Sequence, residues 1–239
     1  MTRRLFTDEE LEGMGRRSLD RLQDLIRAGD TETALRQAGR MHNESLAMHD
    51  MLRDWVTILL SEIYGREGTT GLDDAMAASI DGTWLPTVRL LHGKGNDLQA
   101  WRAKVKMYVA GLRGHQQPLK VEEDEEKVII HLCPCGSGGR QVLDGRYRDG
   151  EFATVREASA LTWGRSQLPV YCTHDAMMEK RDIEVNGYPF VVIDAADPPG
   201  SAPCRMLIYK NPADIPSRYY TRLGLEKPAG LPDGERTQL

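Results

Sequence analysis

The spacing of apolar residues predicts a helical first half of the chain and a mixed second half. From Thr7 to about Arg113, apolar side chains recur at intervals of three and four residues, as they do on one face of a helix. Thr7 and Glu10 have the spacing of a capping box, so we expect a first helix that begins there and ends near Gly29. Further helices are predicted over residues 30–64, 72–85 and 98–112.

The apolar pattern changes in the second half of the chain. After a charged turn at residues 122–127, apolar runs bounded by glycine and proline are typical of strands. These runs are residues 128–131, 189–193 and 206–209. The predicted fold class is therefore α+β, with an N-terminal helical layer followed by a mixed α/β domain with a small sheet. We divide the chain into a helical region at 1–117, an α+β domain at 118–226 and a flexible tail at 227–239.

Charge and hydropathy exclude several classes of partner. The chain has 239 residues, a formal net charge of −5 and scattered basic residues, so we expect neither nucleic acid nor a membrane surface as a partner. Its apolar stretches are shorter than the roughly 18 residues that a transmembrane helix needs, and its acidic start does not resemble a signal peptide. We therefore expect a cytoplasmic protein that takes a small-molecule substrate or ligand, and a homodimer is compatible with the sequence.

Cysteine and histidine form two short clusters. The first is Cys133-Pro134-Cys135, and the second contains Cys172 and His174. Thiolates and imidazole are the ligands of tetrahedral zinc sites, so we predict that these four residues bind zinc. Four protein ligands would make the site structural, whereas three ligands and a water would make it catalytic. Cys204 is interpreted as a small buried apolar residue.

The predicted second helix carries two histidines on its inward stripe. With a period of seven residues, this stripe consists of Leu35, His42, His49, Val56 and Ile63. His42 and His49 are either core histidines with hydrogen-bond partners or part of a ligand cavity, where one of them is a general base. Asp54 either orients that base or lies in solvent.

Three further residues are candidates for substrate binding. Arg140 follows the run Gly136-Ser137-Gly138-Gly139, which lacks the spacing of a P-loop and is interpreted as a tight turn or an anion-binding loop. Arg140 and Arg205 are predicted to pair with an anionic substrate. Trp163, just before the second cysteine cluster, is predicted to form a pocket wall.

Several motifs resemble known families. The segment Cys133-Pro-Cys135-Gly-Ser-Gly resembles the opening of the short SEC-C zinc motif, but the Cys-Cys or Cys-His pair that completes that motif is absent. The succession of Cys172-Thr-His174-Asp175, Glu179, Gly187 and Cys204-Arg-Met-Leu-Ile-Tyr209 is similar to the back half of L-2-amino-thiazoline-4-carboxylate hydrolase-like proteins and of 4-vinyl-reductase-like domains. This resemblance implies an α+β ligand-binding fold with cysteine and acid around a small organic molecule. Cys-Gly-Ser-Gly-Gly followed by Tyr-Cys-x-His also looks like an uncharacterised bacterial family.

Three functional hypotheses follow. In the first, the protein is a zinc-dependent hydrolase or lyase that acts on a small carboxylated or ring-containing molecule. In the second, it is a non-catalytic small-molecule-binding domain whose zinc site is structural. In the third, the site contains no metal and Cys172 is a nucleophile near His174.

Overall fold

The computed structural model describes residues 5–93 and 97–231. It is about 58% helical, with a four-stranded antiparallel sheet and a two-stranded sheet, which confirms the predicted α+β class. The chain forms two compact units that divide between Leu52 and Arg53, whereas the sequence predicts a division after residue 117. Residues 232–239 of the predicted tail lie outside the described part of the chain.

The first unit consists of α1 (Asp8–Gly15), α2 (Ser18–Arg27) and the beginning of α3 (Thr31–His92). The predicted capping box is confirmed, since the Glu10 amide donates to Thr7 Oγ1 at 3.2 Å and the Thr7 amide donates to Glu10 Oε2 at 2.7 Å. The sequence predicts one helix as far as Gly29. The extended backbone of Arg16 instead separates α1 from α2.

Helix α3 is longer than the sequence predicts, because it passes through a kink instead of ending near Gly65. At Gly68 the φ angle is 68°, a left-handed value that glycine adopts readily and other residues adopt only with strain. The helix predicted at residues 72–85 is the continuation of α3 beyond this kink. Leu60 before the kink and Leu72 after it pack in the same apolar cluster.

The buried face of α3 differs from the face that its apolar spacing predicts. Leu35 is 70% exposed and His42 is exposed, so the predicted inward stripe is wrong at these positions. Arg53 and Thr57 are buried on the part of α3 that belongs to the second unit. Thr57 Oγ1 accepts a hydrogen bond from Gln141 Nε2 at 2.8 Å. Polar pairing therefore contributes to the choice of buried face, which apolar spacing cannot reveal.

The sheet of the second unit follows α4 (Leu98–Arg113), which is capped by Asp97, whose side chain accepts a hydrogen bond from the Ala100 amide at 2.9 Å. The strands are β1 (Leu119–Glu123), β2 (Lys127–Leu132), β3 (Thr154–Val155), β4 (Leu168–Pro169), β5 (Val192–Asp194) and β6 (Cys204–Tyr209). Four of them form an antiparallel sheet in the order β1-β2-β6-β5, and β3 pairs with β4. Strand β1 ends within the segment that the sequence assigns to a charged turn.

Three helices accompany the strands: α5 (Gly138–Leu143), α6 (Thr173–Asn186) and α7 (Arg218–Thr221). Of the second cysteine cluster, Cys172 directly precedes α6 and His174 lies in its first turn. Trp101 of α4, Ile130 of β2 and Ile183 of α6 share one apolar core, so helices and sheet fold together in this unit. Among the described residues, none of the helices is both long and apolar enough to span a membrane.

Candidate functional site

A cavity of about 380 Å³ lies inside the second unit. Most of its wall is apolar, contributed by the end of α3, by α4, by α6 and by the central strands β2 and β6. Representative wall residues are Trp84, Leu91, Leu132, Leu168 and Met206. This volume lies within the range of about 300–1,000 Å³ that is typical of small-molecule sites.

Six chemically reactive side chains reach this cavity from different parts of the chain. They are Cys135, Cys172, His174, Asp175 and Cys204, and His115 is the sixth. Three of the four predicted zinc ligands are therefore brought to one place, while Cys133 is not among the lining residues.

Strand pairing and one helix terminus explain how these residues meet. Leu132, the last residue of β2, lies opposite Cys204, the first residue of β6. The loop that carries Cys135 therefore leaves the sheet where Cys204 enters it. Cys172 directly precedes α6 and Asp175 lies in its first turn, so this helix terminus supplies two further residues of the wall.

The glycines that follow Cys135 leave room for the thiols. A Cβ atom on Gly138 would lie 2.6 Å from Cys172 Sγ, and a Cβ atom on Gly139 would lie 2.8 Å from Cys135 Cβ. Both distances are shorter than an ordinary contact between carbon atoms, which is about 3.5–4.0 Å. The glycine run therefore allows the loop to pack directly against both cysteines.

Burial keeps the acidic groups of the cavity neutral over a wider pH range than usual. Burial raises the pKa of Cys172 well above its ordinary value, and the nearby Asp175 carboxylate raises it further. Burial also raises the pKa of Asp175, although His174 opposes this shift. The pKa of Cys204 is raised to about 11, again mainly by burial. A thiol with a raised pKa is a poor nucleophile without an adjacent base, which disfavours the metal-free hypothesis for Cys172.

His174 and Asp175 form an acid–base pair on the cavity wall. His174 Nδ1 donates a hydrogen bond to the Tyr171 carbonyl oxygen at 2.5 Å, because a carbonyl oxygen is an acceptor. His174 Nε2 lies 3.2 Å from Asp175 Oδ1. The two side chains are therefore close enough to interact directly on the cavity wall.

The side chains at the cavity are not arranged as a finished metal centre. Within residues 5–93 and 97–231, no group of three or more histidine, cysteine, aspartate or glutamate side chains stands in a position to hold a metal ion. Zinc binding by Cys133, Cys135, Cys172 and His174 stays a prediction.

The three predicted substrate-binding residues lie away from the cavity wall. Arg140 Nε donates to the Gly136 carbonyl oxygen at 2.7 Å. Trp163 is buried in the core, where its Nε1 donates to Glu179 Oε2 at 3.0 Å. Arg205 forms an ion pair with Asp194 on the neighbouring strand β5. Among the described residues, neither arginine nor lysine lines the cavity.

The predicted catalytic residues on α3 have other surroundings. His42 is exposed, and His49 Nδ1 lies 2.9 Å from Asp50 Oδ1. Asp54 accepts hydrogen bonds from Gln141 Nε2 at 2.9 Å and from Arg146 Nη1 at 3.0 Å. Burial alone would raise the pKa of Asp54, but its hydrogen bonds outweigh burial and lower it. Asp54 therefore links α3 both to α5 and to the segment after α5.

Sequence reasoning did not select three chemically reactive residues of the site, which are His115, Asp175 and Cys204. Cys204 stands two residues before the predicted strand at residues 206–209, and this position near a strand end was the available signal. Asp175 follows His174 directly, but its position on the cavity wall depends on the helix that begins at Thr173.

Comparison with known proteins identifies no relative of this chain. No protein-family model matches it, no curated protein matches it, and no solved structure matches it.

Proposed function

We propose that the second unit binds an uncharged, largely apolar small molecule in the cavity. The observation that carries this proposal is the cavity itself, because about 380 Å³ of space with apolar walls and a few polar groups is the usual form of a ligand site. Asp175 and His174 would supply the hydrogen bonds that orient the ligand.

The chemistry of the wall favours an uncharged ligand over a carboxylate. An anion that enters the cavity loses its hydration, and among the described residues no arginine or lysine of the wall replaces it. The raised pKa values of Cys172 and Asp175 indicate that the same environment disfavours negative charge on the protein itself. Of the two predicted substrate classes, the ring-containing class therefore fits better than the carboxylated class.

Calorimetry with matched pairs of ligands would test this proposal. An uncharged aromatic alcohol and the corresponding aromatic carboxylate have the same ring but differ in charge. We expect the alcohol to bind at least tenfold more tightly at neutral pH. Ala195→Leu, which adds bulk to the cavity wall, should weaken this binding, whereas Ala110→Leu on the exposed surface of α4 should not. Tighter binding of the carboxylate, or equal affinity for the Ala195→Leu protein, would contradict the proposal.

A second candidate is a zinc-dependent hydrolase or lyase at the same cavity. The convergence of Cys135, Cys172 and Cys204 favours it, because thiolates are the preferred ligands of zinc. Bound zinc would supply a Lewis acid for a carbonyl group or a water molecule. His174 and Asp175 would then move the proton between substrate and solvent. Ligation would require rotation of the thiols toward one another, since they do not form a metal centre as they stand.

Cobalt substitution can separate the two possible sets of ligands. Cobalt bound to thiolates gives a charge-transfer absorbance, which reports how many cysteines coordinate it. We expect this absorbance to decrease in Cys204→Ser and Cys172→Ser but not in Cys133→Ser. If the absorbance decreases in Cys133→Ser but not in Cys204→Ser, the ligand set predicted from the sequence is favoured. Failure of the parent protein to bind cobalt or zinc would remove this candidate and leave the apolar ligand site unaffected.

A further inference from the structure

An apolar groove lies next to the cavity in the second unit. It is lined by residues of α3 from both sides of the kink at Gly68. Its volume is about 290 Å³, and it is more open to solvent than the cavity. Val56 and Leu60 line it from before the kink at Gly68, and Met76 and Ile80 line it from beyond the kink. The kink in α3 therefore creates a second concave surface.

The groove and the cavity have part of their walls in common. The shared residues are Trp84, Tyr171, His174 and Met178. The rings of Tyr171 and His174 meet edge to face, with 4.8 Å between their centroids. His174 therefore stands at the boundary between the cavity and the groove, where one ligand could touch both.

We propose that cavity and groove form one binding site for an elongated, uncharged molecule with a polar head and an apolar tail. This inference rests on the proposed function, since the head occupies the cavity. The head carries a polar group such as a carbonyl oxygen, which lies among the hydrogen-bonding side chains of the cavity wall. The tail lies in the groove beside Leu60, Met76 and Ile80.

The direction of the ligand follows from the distribution of polar groups. Asp175 and the three thiols line the cavity and not the groove, so the cavity offers more hydrogen-bond partners to a head group. The groove offers mainly aliphatic side chains, and its openness allows tails of different length. Each methylene group that enters the groove leaves water and should raise affinity about fourfold.

A series of alkyl phenyl ketones would test this inference. These ketones share a ring and a carbonyl group and differ in the length of an apolar tail. Binding can be measured by ligand-observed nuclear magnetic resonance and by quenching of tryptophan fluorescence, because Trp84 lines both spaces. We expect affinity to rise about fourfold per methylene from acetophenone upward and then to level off when the groove is filled.

A pair of variants at neighbouring positions locates the tail. Ser79 is exposed and lines the groove, whereas Ala78 is exposed and does not line it. Ser79→Trp should abolish the dependence on tail length and leave acetophenone binding unchanged, and Ala78→Trp should change neither. A parent protein that binds short and long ketones equally well, or a Ser79→Trp protein that keeps the dependence on tail length, would overturn the inference but not the proposed function. Failure of every ketone to bind would overturn both.

Discussion

Gly138 is a sensitive position at the cavity, because a methyl group there would collide with the thiol of Cys172. In Gly138→Ala, the new Cβ atom would lie 2.6 Å from Cys172 Sγ and 3.5 Å from Tyr171 Cδ1. Ordinary contact requires about 3.5–4.0 Å, so the thiol or the start of α5 must move by about 1 Å. Overpacking of this kind typically costs about 1–3 kcal/mol.

The backbone of Gly138 does not oppose alanine, since this glycine is not among those with a positive φ angle. Gly138 is the first residue of α5, so alanine there gains less than the roughly 0.5–1 kcal/mol that it gains over glycine in a helix interior. We therefore expect a net loss of about 1–2 kcal/mol in the free energy of unfolding. In a Cys172→Ala background the obstructing sulfur is absent, so the same substitution should be neutral or slightly stabilising.

Urea denaturation of the four proteins of this double-mutant cycle would measure the coupling between Gly138 and Cys172. Intrinsic fluorescence is a suitable probe because all four tryptophans of the chain lie after Arg53, in the second unit. Gly82→Ala is a matched control, since a Cβ atom there would meet nothing within 4 Å. An equal cost of Gly138→Ala with and without the Cys172 thiol would refute the reasoning, because the collision would then not be the cause.

Three other predictions concern the fold around the site. Gly68→Ala should lower the free energy of unfolding by about 1–2 kcal/mol because of its φ of 68°, whereas Gly65→Ala should not lower it; the same urea titration would check both. The pKa of Glu179 is raised to about 7, mainly by burial, so its contribution to stability is present below its ordinary pKa and is lost as pH rises through about 7. Between pH 5 and 8, Glu179→Gln should therefore lose on the order of 2 kcal/mol less free energy of unfolding than the parent protein. If the variant keeps the pH dependence of the parent, Glu179 is not the source of that dependence. Asp54→Asn should destabilise the protein by about 1 kcal/mol through its bonds to Arg146 and Gln141 and leave ketone affinity unchanged; loss of affinity at full stability would instead support a role in ligand binding.

Local signals in the sequence determined several elements of this fold. The capping box at Thr7 and the apolar periodicity of α4 identified two helices, because a cap and a repeating face are properties of neighbouring residues. The runs that became β2 and β6 were recognisable for the same reason. These elements sufficed for the α+β class.

The tertiary structure decided which residues share a site. Cys204 meets Cys135 because β2 and β6 pair in one particular register, and a register between distant strands is not visible in either strand alone. The groove exists because Gly68 lets α3 kink, and glycine in a helical pattern predicts an end as readily as a kink. His42 faces solvent because burial depends on what packs against a helix as well as on its own spacing. The residue types of the site were therefore readable from the sequence, while their convergence depended on long-range packing.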